Sequence, residues 1–149
     1  MYEDYTNIYQ AARAAAGLTQ ERAAELLGLS VESVKAYEHD TTIPKEPTVL
    51  KMVDIYGAPF LAVQHMRSTT AIARSVIPEF CVTSLPQAVV QLLCRIRDFS
   101  ERHRTDELMR IAEDGAIDSV ERPIYEDILD ELDDIIKAAM ALRYVKEMS

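Results

Sequence analysis

The chain has 149 residues, 48% of them apolar, and a formal net charge of −9 from 16 basic and 25 acidic side chains. That apolar share supports a packed core and excludes wholesale disorder, and every apolar run is too short to span a bilayer. The segment MYEDYTNIYQ is acidic and polar, unlike a signal or transit peptide, so a cytoplasmic protein without a membrane partner is expected.

With four glycines and six prolines against many Ala, Leu, Glu and Arg, the composition favours helix. Periodicity predicts an all-α chain of about eight helices. The first spans about Asn7 to Ala16, with Tyr9 and Ala12 on one face and Gly17 as its stop. Thr19 caps a second helix that runs through Leu27 to Gly28, and Ser30 caps a third that runs to about His39. The turn-rich DTTIPKEP follows. A fourth helix with Pro47 in its first turn carries Leu50, Val53 and Ile55, and stops at Gly57. A short fifth begins near Pro59 and carries Phe60, Leu61 and Val63. These five form a domain over residues 1–66. Residues 67–83 read as a linker, in which TAIARSVI could form a turn or two of helix.

Residues 84–149 read as a small C-terminal helical domain. Ser84 and Gln87 form a predicted capping box, with Pro86 in the first turn. Leu85, Val89, Leu92, Leu93, Ile96 and Phe99 make one apolar stripe reaching about His103. A shorter helix from Thr105 or Asp106 carries Leu108, Met109 and Ile111. EDGAID is a turn, and Asp118 with Glu121 is a second capping box. Setting Gly115 as the glycine of a calcium loop puts Arg110 and Ala112 at ligand positions, which excludes that reading. The last helix runs to about Lys146 with Ile124, Ile128, Leu132, Ile135, Ala139 and Leu142 on one side. Its other face is acidic. An amphipathic helix packed in its own chain explains this stripe; a homodimer interface through Ile128, Leu132, Ile135, Ala139 and Leu142 is the functional alternative.

Residues 17–44 set two short capped helices around Gly28-Leu29-Ser30, too tight a turn for antiparallel packing. That is helix-turn-helix geometry. Ala24 is small where the helices approach, while Leu29 and Val34 fill the wedge. The ordered set Arg13, Leu18-Thr19-Gln20, Ala24, Gly28-Leu29-Ser30, Val34, Glu38 and Pro44, closed by Leu50 to Gly57, resembles the phage-repressor/Cro (XRE) helix-turn-helix family over residues 7–65. The resemblance implies that the helix starting at Ser30 enters a DNA major groove. It implies a phosphate contact for Gln20, backbone contact for Ser33, and base-edge positions for Val31, Glu32 and Ala36, with Lys35 on the same face. Thr41, Thr42 and Lys45 would meet phosphates through amides, hydroxyls and charge. Arg13 and Glu38 would form a partly buried structural ion pair. Asp40 stands where glycine or asparagine is usual, and Ala23 replaces a common leucine. Glu32 replaces a neutral donor, which could accept from cytosine N4 but repels phosphate.

Charge opposes this reading. Residues 1–66 hold five basic and nine acidic side chains, where DNA binders are usually basic. Two functions therefore stay open: a dimeric regulator of double-stranded DNA, or a helical protein-interaction module, antitoxin- or antirepressor-like, that has lost DNA binding. Neither implies a cofactor or an enzyme. His39, His65 and His103 lie at separate helix ends, and no phosphate loop, nucleophile elbow or HExxH is present. Cys81 and Cys94, without CxxC or an adjacent histidine, read as reduced thiols rather than a disulfide or metal site.

Overall fold

A computed structural model describes residues 7–145, and those residues form nine helices and no strand. They divide into two compact units, Met1–Ile77 and Pro78–Ser149.

The first unit holds α1 (Ile8–Ala15), α2 (Gln20–Leu27), α3 (Val31–Glu38), α4 (Glu46–Tyr56), α5 (Pro59–Thr69) and α6 (Ala71–Val76). Local chemistry sets their limits. Asn7 caps α1, its Oδ1 accepting from the amides of Tyr9 and Gln10 at 2.9 and 3.0 Å. Thr19 and Ser30 cap α2 and α3 as expected, accepting from Arg22 and Ser33 at 3.1 Å each. Gly28 closes α2 at φ 69, a left-handed conformation costly for residues with a Cβ. Tyr9, Ala23, Ala24, Leu27, Val34, Val49, Met52, Tyr56, Ala58 and Leu61 form one enclosed cluster. Met52, Leu61 and Val34 are among its largest fully buried side chains, each worth about 1.5–3 kcal/mol of burial. Of the expected linker, residues 67–69 end α5 and residues 71–76 form α6, the turn or two of helix expected over TAIARSVI. Thr70 caps α6 by accepting from Ala73 at 3.1 Å, and Arg67 donates to the Ile77 carbonyl.

The second unit holds α7 (Leu85–Glu101), α8 (Arg104–Ile111) and α9 (Arg122–Arg143). α7 and α9 run antiparallel: Arg95 meets Asp134 at 3.8 Å and Arg102 meets Glu131 at 2.9 Å. Arg104 at the start of α8 donates to Glu131 and Glu107 at 2.8 and 2.7 Å. These hydrogen bonds hold the Glu131 carboxyl below its ordinary pKa. Asp118 and Glu121 form the expected reciprocal box, the Asp118 Oδ1 accepting from the Glu121 amide at 2.8 Å and the Glu121 Oε2 from the Asp118 amide at 3.2 Å. The Ser84–Gln87 box does not form. Ser84 takes the N-cap backbone conformation without a side-chain bond, and Pro86 supplies the first turn.

Burial in this unit is thin: among its described residues only Ala88, Ile111, Ile128, Ala138 and Ala141 are enclosed apolar ones. The apolar stripe expected on α7 divides, with Val89, Leu92 and Phe99 half-buried and Leu85, Leu93 and Ile96 exposed. On α9, Ile128 is completely covered within the unit, Ile124, Leu132, Ile135 and Leu142 are half-buried, and Ala139 is exposed.

Candidate nucleic-acid interface

The centre of the first unit is a buried polar cluster. Glu38, in the last turn of α3, is 5% exposed, so its charge needs a partner. Arg13 of α1 supplies one in a two-pronged pair, Nε to Oε1 at 2.5 Å and Nη2 to Oε2 at 2.9 Å. Its Nη1 also donates to the Leu18 carbonyl at 2.6 Å, tying α1 to the start of the helix-turn-helix. The expected ion pair is therefore present, with a third member. Gln20 Nε2 donates to Glu38 Oε2 at 2.9 Å. The side chain assigned to a DNA phosphate is already engaged with a carboxylate; its carbonyl oxygen and second N–H remain. Burial and the Glu38 charge push the Tyr56 hydroxyl up to about 12, against a smaller opposing effect of Arg13.

This cluster fixes α3 against α1 and α2, and the turn fixes its entry. The Leu29 amide closes the end of α2 on the Ala24 carbonyl at 2.9 Å, while Leu29 and Val34 pack into the core. The first turn of α3 then faces outward. Ser30 and Glu32 are exposed, and Lys35 is half-exposed on the same side. The remaining reading-face positions are less free. Val31 is half-buried against the core, Ala36 is half-buried, and the Ser33 hydroxyl lies 2.9 Å from that of Ser30. Glu32 Oε1 lies 3.7 Å from Lys35 Nζ, so the one acid and one base of the face partly neutralise each other.

The loop after α3 corrects one expectation. The amides of Thr41 and Thr42 donate to the Ala36 carbonyl at 3.0 and 3.3 Å, closing the helix, so they are spent. Exposed hydroxyls and the exposed Lys45, at the N-cap of α4, are what the loop offers a phosphate. Asp40 adopts φ 56, the left-handed position of the usual glycine. Its carboxylate explains the substitution: Oδ1 accepts from Asn7 Nδ2 at 2.8 Å, and the same amide donates to the Tyr37 carbonyl at 2.9 Å. Asn7 thus caps α1 and latches it to the end of α3, a role not foreseen from sequence. Further along α1, the Tyr9 hydroxyl lies 2.7 Å from His65 Nδ1 of α5, and burial lowers the His65 pKa.

Cations near this surface are mostly committed. Arg13 is bound to Glu38, Arg22 lies 2.5 Å from Glu25, and Lys35 lies beside Glu32. Lys45 and Lys51 are exposed, with no ion pair among the described residues.

Residues 10–65 match the family model described as a helix-turn-helix domain. The chain carries such a domain at its N-terminus. No curated protein and no solved structure is matched by the chain.

Proposed function

We propose that the chain is a sequence-specific DNA-binding regulator, repressor-like, in which the α3 end starting at Ser30 enters the major groove of an operator half-site. Pairing of two copies through the second unit would span two half-sites. The observation that carries the reading is the frame of α3. Its C-terminal end is clamped by Arg13, Gln20 and Asn7, while Ser30 and Glu32 at its N-terminal end stay exposed. Under this reading Glu32 accepts from a cytosine amino group. Lys45, the hydroxyls of Thr41 and Thr42, and helix N-termini meet phosphates. With so few free cations, the affinity depends only shallowly on salt for the size of the site.

One observation favours a second reading, a protein-interaction module of the same fold. The acids Glu25 and Glu32 each occupy a cation that phosphate would otherwise use. Selection from a random duplex library at about 50 mM salt, followed by salt titration, separates the two. Enrichment of one sequence family is expected, with base preference at one position changed by Glu32→Gln. Gln20→Ala is expected to weaken all sequences alike. No enrichment overturns DNA recognition, and an unchanged preference in Glu32→Gln removes that residue from readout.

A further inference from the structure

The second unit carries two apolar stripes on each of its long helices, and the second stripe of each is only partly covered within the unit, Val89 and Leu132 being half-buried. On α7 the inward line is Ala88, Leu92 and Phe99; one residue later in the chain lies Val89, then Leu93 and Ile96. On α9 the inward line is Ile128, Ile135 and Leu142, and again one residue later runs Leu129, Leu132, Ile136 and Ala139, at alternating spacings of three and four. One residue is a rotation of about 100° in a helix. In an antiparallel pair that rotation carries the second stripe of both helices to the same side. Leu93 is 60% exposed, Ile96 48%, Leu129 41% and Ile136 47%. The opposite side is lined by the chain itself: Phe80 and Thr83 border a cavity there with Arg95, Asp134, Ala138 and Ala141.

We infer that the side bearing Leu93, Ile96, Leu129, Leu132, Ile136 and Ala139 receives the same side of a second copy, closing an intermolecular four-helix bundle with α7 against the partner's α9. This rests on the dimer in the function proposed above and gives it a surface. Size supports it. A face roughly 25 Å long and 20 Å wide buries about 1,000 Å² over two copies, the scale at which specific association begins. Charge chooses the arrangement. In line with this face, three and four residues from Leu129, lie the exposed acids Glu126 and Asp133 of α9, whereas four residues from Leu93 lies the exposed Arg97 of α7. Stacking α9 on the partner's α9 would oppose like charges. A two-fold axis parallel to the helices places α7 over the partner's α9 instead, with Leu93 and the partner's Ile136 at one level. The thin interior explains the need: among the described residues, three of its five enclosed apolar ones are alanine, and so small a core rarely stands alone.

Light scattering on the full chain tests this without DNA, so its outcome is separate from that of the library selection. A dimer is expected at micromolar concentration. Leu93→Lys and Ile136→Glu should each weaken it at least tenfold with helical content unchanged by circular dichroism. The double variant should regain part of the loss, because opposite charges then meet across the axis. A monomeric unsubstituted chain overturns both the dimer and its surface. A dimer that survives both single substitutions overturns the surface alone. A double variant weaker than either single one overturns the pairing of α7 with the partner's α9.

Discussion

In Met1–Ile77, helices enclose side chains as large as Met52, Leu61 and Val34 around a buried carboxylate with two partners; in Pro78–Ser149 the enclosed residues are mostly alanine and the ion pairs lie nearer the surface. The difference lies in how many layers each unit supplies for itself. Short helices joined by tight turns cover one another from several directions, so α3 is held rigidly enough to present a defined end. Two long antiparallel helices cover one side of each other and leave the next stripe open. A firmly held helix end and an incompletely covered apolar face thus sit in separate units.

The largest expected effect breaks the comparison at its polar centre. Glu38→Ala leaves the Arg13 guanidinium buried without its carboxylate and should cost about 3–5 kcal/mol. Glu131→Ala removes a more exposed partner of Arg104 and Arg102 and should cost about 1 kcal/mol or less. Amide hydrogen exchange resolved by unit measures both. Equal losses would mean that the Arg13–Glu38 pair is as well hydrated as the pair in the second unit.

A cavity at Ile128, which is fully covered, comes next. Ile128→Ala should cost about 2–4 kcal/mol of second-unit stability at any protein concentration. Ile136→Ala, at an exposed position about two turns along α9, should change the dilute protein by about 0.5 kcal/mol or less. It should nonetheless lower the unfolding midpoint at high concentration, where the proposed association would contribute. A concentration-independent loss at Ile136 would place it inside the unit rather than on the shared face.

The positions readable from sequence were those decided within a few residues. Thr19 and Ser30 cap because a hydroxyl reaches an amide three residues on; Gly28 ends a helix because it lacks a Cβ. Thr70 gives the same signal for α6, and the turn or two of helix expected over TAIARSVI is that helix. What the sequence could not supply was direction across space. A wheel of α7 shows a wide apolar arc, yet the position of α9 decides that Leu92 turns inward and Leu93 outward. The engagement of Gln20 with Glu38, eighteen residues apart, and of Asn7 with Asp40, thirty-three apart, also depends on how α1 lies on α3. The resemblance carried Arg13 and Glu38, but not the hydrogen bond that ties Gln20 to Glu38.

The smallest effect sharpens the comparison through pH. Tyr56 has an ordinary pKa of 10.0, pushed up to about 12 in the folded chain by burial and the Glu38 carboxylate. The folded state thus keeps this proton after the unfolded state has lost it. Tyr56 therefore contributes stability that is fully present below pH 10 and lost as pH rises through about 12. Thermal melts from about pH 8 upward should show the first unit falling steeply above pH 10, whereas Tyr56→Phe, which cannot ionise, flattens that fall. Tyr9, raised by burial and by Asp40, leaves a residual slope in that variant. The second unit lacks a tyrosine set against a buried carboxylate among its described residues, and its melting should follow pH less steeply over the same range. If ultraviolet titration finds Tyr56 ionising near 10, the carboxylate of Glu38 is not enclosed beside it. The clamp on α3 would then be looser than the hydrogen bonds of Arg13 and Gln20 require.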